Sequence, residues 1–212
     1  MSLRAIAWDI DGTLVDSEPL HHRALVAVCA GYGLEIDPQD QSFVGMHIGH
    51  VWDRLRPRFP QTVDERQWHQ RIRTYYAEHS GSLVPIPGAV ETVRLLAEAG
   101  IAQICVSNSE REVVDVNLRS LGLAELLVGS ISLDDVPAGK PDPAPYQMAA
   151  KALKLPPQDV LAVEDSVTGM RSALAAGMKV ALFGGDASGD PPHAHFHPVS
   201  LSEIPQFLKP RA

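Results

Sequence analysis

Two aspartates, Asp9 and Asp11, stand one residue apart at the end of an apolar run and just before Gly12. Like charges that close repel, so a role in solubility alone would scatter them. Taken alone, Asp-Gly after a strand is ordinary turn chemistry. Three further stretches change that reading: Ser107 and Asn108 in "VSNS", Lys140 in "AGKPDP", and Glu164 with Asp165 in "AVEDS". Together they supply four carboxylates, one ammonium and one hydroxyl. Four carboxylates in one crevice need a cation, and oxygen-only donors suit Mg²⁺. Asp9 could then act as a covalent nucleophile. Asp11 could give a proton to a leaving group and later take one from water. Phosphoryl transfer suits this set, because an anionic nucleophile must approach an anionic group. Mg²⁺, Lys140, the Ser107 hydroxyl and the backbone N–H groups of the turn at Gly12 and Thr13 would hold and neutralise the phosphoryl oxygens.

These residues need elements to bring them together. "LRAIAWD" is a short apolar run ended by Asp and Gly, a buried strand. Ser17 is a candidate N-cap, with Glu18 and Pro19 in the first turn of a helix over "HHRALVAVCAGYG". From there to about residue 85 the pattern is helix and loop, including the amphipathic "VDERQWHQRIRTYYAEH" and a segment broken by Pro57 and Pro60. After Gly100 strands and helices alternate. "IAQICVS", "LLVGSIS", "DVLAVED" and "KVALF" read as strands, with helices between them. Ser109 followed by Glu112 predicts a capping box at the first of those helices. "GGDASGDPPHAHFHP" reads as a loop, and its His193, His195 and His197 make only a weak metal motif. Such alternation implies an α/β fold, a Rossmann-like parallel sheet with helices on both faces. The expected division is a core of residues 1–15 and 86–212 with an all-helical insertion over 16–85. In open α/β sheets ligands bind beyond the carboxyl ends of the strands, and the polar residues singled out here fall at or near such ends.

In this order, "DIDGTLVDSE", "VSNS", "GKPDP" and "VEDSVTGMRSALAAGM" resemble the four signature motifs of the haloacid dehalogenase superfamily. The similarity covers essentially the whole chain and points to the phosphatase and β-phosphoglucomutase-like branch, which carries a helical cap after the first motif. The resemblance implies Asp9 as nucleophile and Asp11 as acid/base, with the Asp11 backbone carbonyl also a metal ligand. It implies phosphoryl contacts from Ser107 and Asn108, and Lys140 paired with Asp9 and the phosphate. Mg²⁺ would be held by Asp9, Asp11 and Asp165, with Glu164 assisting. Dehalogenases of the superfamily lack the second aspartate, so Asp11 disfavours carbon–halogen chemistry. Phosphonoacetaldehyde hydrolases use a cap lysine, and residues 17–85 contain none. Phosphomutases carry a cap arginine where Ile48 stands, and Thr13 also leans towards phosphatases. The family usually has an aspartate where Ala144 stands, so Asp142 is not assigned that role.

The 212 residues are 45% hydrophobic with a formal net charge of −8, a soluble globular composition with no basic stripe for nucleic acid. No run of about 20 apolar residues suggests a membrane span. Cys29 and Cys105 lack metal-ligand spacing and read as buried thiols in a reducing cytoplasm. Within the insertion, His21 and His47 are the candidates to face substrate. Arg54, Arg56 and Arg58 read first as a solvated face. The function expected is a cytoplasmic, monomeric Mg²⁺-dependent phosphatase of a sugar or sugar-acid phosphate, acting through an aspartyl-phosphate. The alternatives are a β-phosphoglucomutase-like phosphomutase and a non-catalytic phosphate-ester-binding protein.

Overall fold

The computed structural model describes residues 3–184 and 193–208. In chain order its main elements begin with β1 (Ala5–Trp8), β2 (Val15–Asp16), α1 (Glu18–Ala30), α2 (Ile48–Leu55), α3 (Glu65–Glu78) and β3 (Val84–Pro85). They continue with α4 (Ala89–Glu98), β4 (Ala102–Val106), α5 (Arg111–Ser120), β5 (Gly129–Ile131), α6 (Ala144–Leu153), β6 (Val160–Glu164), α7 (Val167–Ala175) and β7 (Lys179–Leu182). The chain divides into two compact units, one of Met1–Asp16 with Val84–Ala212 and the other of Ser17–Leu83.

The larger unit is built on a five-stranded sheet in the order β5-β4-β1-β6-β7. Every neighbouring pair in it is parallel. β1 is the centre, with Ala5 opposite both Ala102 and Val160. A central strand of a sheet covered on both faces has no solvated side, which is why "AIAW" is apolar throughout and fully buried. Side chains alternate between faces. Ala5 and Ala7, with Ile104, Val106, Val160 and Ala162, pack against Tyr146, Ala149 and Leu153 of α6 and Met170 and Ala173 of α7. On the other face Gln103 links Trp8 to α4. Gln103 accepts from the Trp8 indole N–H at 2.9 Å and donates to the Val93 carbonyl at 3.0 Å. A polar side chain inside a strand is thereby satisfied at both ends, as burial demands.

Several local expectations change. β2 and β3 form a two-stranded antiparallel ribbon, Val15 opposite Pro85 and Asp16 opposite Val84, where the sequence reading places no strand. Ser17 sits at the N-cap of α1 without a side-chain cap bond. α5 starts at Arg111 with Glu110 as its N-cap, so the capping box expected from Ser109 and Glu112 does not form. Of the expected loop over 184–198, residues 185–192 lie outside the described residues. His195 and Phe196, beyond them, bond alongside β7 through Val180 and Leu182. His195 Nδ1 accepts from the Val180 N–H at 3.2 Å, which commits one nitrogen of the histidine cluster to the backbone.

The smaller unit holds α1, α2 and α3 around an aromatic core. Trp52 lies 5.4 Å from Trp68 and 5.7 Å from Phe59, centroid to centroid. The arginine cluster ties this unit together. Arg54 reaches the Ser42 carbonyl and lies over Phe43, Arg56 lies over Trp52, and Arg58 reaches the Glu35 carbonyl. Among the described residues no helix is long and apolar enough to cross a membrane. Both cysteines are buried free thiols.

Candidate active site

The parallel register carries the four polar stretches to the carboxyl end of the sheet. Asp9 follows β1 directly, and its N–H extends the ladder to Val163 of β6 at 2.9 Å. That bond fixes the aspartate one step beyond the strand. Ser107 follows β4 and donates its N–H to Ile131 of β5 at 2.9 Å. Glu164 ends β6. Lys140 enters from the loop before α6.

Lys140 is the centre of the constellation. Its Nζ donates to Asp9 Oδ1 at 2.6 Å, to Glu164 Oε1 at 2.6 Å and to the Val106 carbonyl at 2.9 Å. Three donors therefore meet three acceptors. The ammonium also lies 5.2 Å from the centre of the Tyr146 ring, whose hydroxyl donates to the same Glu164 oxygen. Asp9, Lys140 and Glu164 are all buried. Burial by itself would lower the Lys140 value, but the Asp9 and Glu164 carboxylates more than reverse it, so the ammonium stays charged. One ammonium cannot neutralise two buried carboxylates. Burial accordingly pushes Asp9 up to about 7, against the lowering influence of Lys140 and with Glu164 and Asp11 adding to the rise. Asp165 is raised to about 6, chiefly by burial and then by the charge of Asp9.

The loop that presents Lys140 is locked by Asn108. Its Oδ1 accepts from the Lys140 N–H at 2.7 Å, and its Nδ2 donates to the Lys140 carbonyl at 3.0 Å. Gly139 makes this possible, since a Cβ there would lie 2.6 Å from Asn108 Oδ1. The Asn108 side chain, expected on the phosphoryl group, is thus engaged with the lysine backbone. At Gly12, with φ +84°, a Cβ would lie 2.1 Å from Asp165 Oδ2, so only glycine admits that carboxylate. The Gly12 N–H bonds to the Val15 carbonyl and the Thr13 N–H to the Ile10 carbonyl, so these backbone donors close the turn. Ser166, not Asp165, caps α7 by accepting from the Gly169 N–H at 3.1 Å. Asp165 is left out of the cap.

Asp11 is held differently. Its Oδ2 accepts from the Ser107 and Ser109 hydroxyls, each at 3.0 Å, and its Oδ1 accepts from Asn117 Nδ2 at 3.1 Å. The Ser107 oxygen also accepts from the Ser109 N–H at 2.9 Å. Sequence reasoning missed Asn117 and Tyr146 and gave Ser109 a capping role. The available signal was a polar residue on an otherwise apolar helix face. His21 and His47 belong to the smaller unit. There His21 stacks on Tyr76 at 4.5 Å, and His47 caps α2 by accepting from the Gly49 N–H at 3.2 Å.

The residues present fit a hard divalent cation. One oxygen each from Asp9, Glu164 and Asp165 lies within 4.8 Å of the others. Asp9 Oδ2 is buried and has no hydrogen-bond partner among the described residues. A buried, unpartnered carboxylate oxygen is costly unless a cation takes it. The Asp11 carboxylate lies outside this trio.

A parallel α/β sheet with this constellation at its carboxyl edge defines a class. The chain belongs to the haloacid dehalogenase-like hydrolases, whose family model matches residues 3–177. It is 29% identical over 218 residues to 6-phosphogluconate phosphatase of Escherichia coli (strain K12), spanning 99% of this chain and 96% of that one. Hexitol phosphatase B of Escherichia coli O157:H7 is 31% identical over 210 residues, 96% of this chain and 93% of the relative. In fold, the chain is similar to CbbY from Rhodobacter sphaeroides in complex with phosphate, with TM-score 0.83, 24% identity and coverage of 95% and 96%.

Proposed function

We propose that this protein is a Mg²⁺-dependent phosphatase of a sugar or sugar-acid phosphate that works through an aspartyl-phosphate at Asp9. By family and relatives the chain is a phosphoric monoester hydrolase. The observation that carries the finer reading is the divided Asp9 carboxylate. One oxygen is held by the Lys140 ammonium, and the other is buried without a hydrogen-bond partner among the described residues, in a carboxylate grouped with Glu164 and Asp165. A carboxylate that only stabilised the fold would have both oxygens bonded.

In the reaction, a carboxylate oxygen of Asp9 forms a bond to phosphorus as the ester P–O bond breaks. The departing oxygen takes a proton from Asp11. Water then attacks phosphorus and gives its proton to the Asp11 carboxylate, freeing Asp9 and inorganic phosphate. Lys140 keeps Asp9 oriented and contributes positive charge to the transferring group. Magnesium would be held by Asp9, Asp165 and the Asp11 carbonyl, with Glu164 assisting, and when bound it supplies the remaining countercharge. The Ser107 hydroxyl, expected on a phosphoryl oxygen, donates its one proton to Asp11 Oδ2 and would bind the phosphoryl group by turning that proton away from Asp11. The helical unit is the cap that selects the leaving group, with His21 and His47 its candidate contacts. The relative named for 6-phosphogluconate supports a sugar-acid substrate.

Phosphate release from p-nitrophenyl phosphate and a panel of sugar and sugar-acid phosphates tests this, with Mg²⁺ or EDTA. Wild type should turn over at least one ester only with metal, and Asp9→Asn should lose about 10⁴-fold or more. Turnover that survives Asp9→Asn or EDTA would sink the mechanism, and silence on every ester would sink the activity.

A further inference from the structure

The geometry points to Asn117 as a positioning residue for Asp11, setting the orientation in which that aspartate acts on the leaving group. The inference rests on the reading of Asp11 as acid and base. α5 buries Val113, Val114, Val116, Asn117 and Leu118, four apolar side chains and one amide. Asparagine is a poorer helix former than leucine and expensive to bury. Packing alone would place an aliphatic residue there. The amide instead reaches Asp11, 106 residues away in sequence, at 3.1 Å.

Its effect is geometric. Ser107 and Ser109 both donate to Oδ2 of Asp11, while Asn117 donates to Oδ1. Hydrogen bonds to a single oxygen would leave the carboxylate free to turn about its own axis. A donor on the second oxygen removes that freedom and defines the carboxylate plane. All three donors come from one short stretch running from the end of β4 into α5. Ser107 itself is pinned to β5 through its N–H. A proton donor held in one orientation is worth most where the leaving oxygen is a poor leaving group, because bond cleavage there depends on the proton arriving in line. An ester with a good leaving group needs little help.

That dependence separates positioning from simple stability. The experiment compares kcat/KM for p-nitrophenyl phosphate and for an alkyl sugar phosphate in wild type, Asn117→Leu and Ser109→Ala. This constant reports the steps up to ester cleavage, where the proton is given. Loss of one hydrogen bond to a charged group corresponds to about 10- to 100-fold. Asn117→Leu should therefore lose about that factor on the alkyl ester and under about threefold on the aryl ester. Ser109→Ala, which leaves Asn117 on Oδ1, should lose less on the alkyl ester than Asn117→Leu, and Asn117→Ala carries the test if Asn117→Leu does not fold. For the Asn117 variant, equal losses on both esters, or no loss on either, overturn the inference alone. Wild type that hydrolyses neither ester overturns the phosphatase reading and this inference with it.

Discussion

Replacing Lys140 by methionine should destabilise the larger unit strongly, and the loss should grow with pH. The substitution keeps most of the stem volume and deletes the ammonium. Asp9 and Glu164 would then face each other in a buried pocket without their shared cation, and the Val106 carbonyl would lose its donor. Breaking a buried ion pair by removing one partner costs about 3–5 kcal/mol. At about 2–4 °C per kcal/mol for a chain of this size, the midpoint should fall by about 6–20 °C. The pH dependence has a definite sign. The folded value of Asp9, about 7, already lies above its ordinary 3.8, and Lys140 is the main influence holding it down. Without Lys140 it rises further. A group whose folded pKa is raised contributes stability that is complete below the unfolded value and lost as pH rises through the folded one. Near pH 5.5 Asp9 is largely protonated in both proteins, so the gap is smallest. Above pH 7 wild type accommodates the ionised carboxylate and the variant does not, so the gap widens. Thermal unfolding in EDTA at pH 5.5, 7 and 8.5, followed by circular dichroism, measures it directly. Equal midpoints at pH 8.5, or a gap that narrows with pH, would refute the account of Lys140 as the shared counter-ion.

Two further expectations concern the metal. Gly12→Ala would set a Cβ 2.1 Å from Asp165 Oδ2 at a positive φ, so Asp165 must move. The half-saturating Mg²⁺ concentration for activity should rise about tenfold or more, equivalent to ~1.4 kcal/mol; unchanged metal dependence would show that Asp165 does not hold the ion. Asp9 and Asp165 lie at about 7 and about 6 without a cation, so the protein in EDTA should lose stability as pH rises from 5 to 8. The midpoint shift produced by Mg²⁺ should grow over the same range, because the ion competes with protons for these carboxylates. A shift independent of pH would argue against both as ligands.

Much of this architecture is legible because its causes are local. Apolar runs that stop at Asp, Ser or Glu read as buried strands with polar ends. The alternation after Gly100 reads as parallel pairing. The β2–β3 ribbon was not legible, since two-residue strands carry no periodicity and Val15 meets Pro85 only because the chain leaves and re-enters the larger unit there. The capping box failed for a related reason. Ser109 and Glu112 have the right spacing, but in the fold the Ser109 hydroxyl lies 3.0 Å from the Asp11 carboxylate, a stronger acceptor situation than a helix end offers. Asn108 and Tyr146 take their roles from partners 32 and 18 residues away, which no spacing rule reaches.

The sequence by itself determined which residues could do chemistry and that they lie at or near the ends of strands. Side-chain type and alternation are properties of a few neighbouring residues. Only the tertiary structure decided how that chemistry is divided. It gave Lys140 to Asp9 and Glu164 together, left Asp9 Oδ2 without a hydrogen-bond partner among the described residues, and set two hydroxyls and a helix amide on Asp11. The physical reason is that a buried charge draws whichever donors the packed chain brings within about 3 Å, and that neighbourhood is set by sheet order, not by distance along the chain.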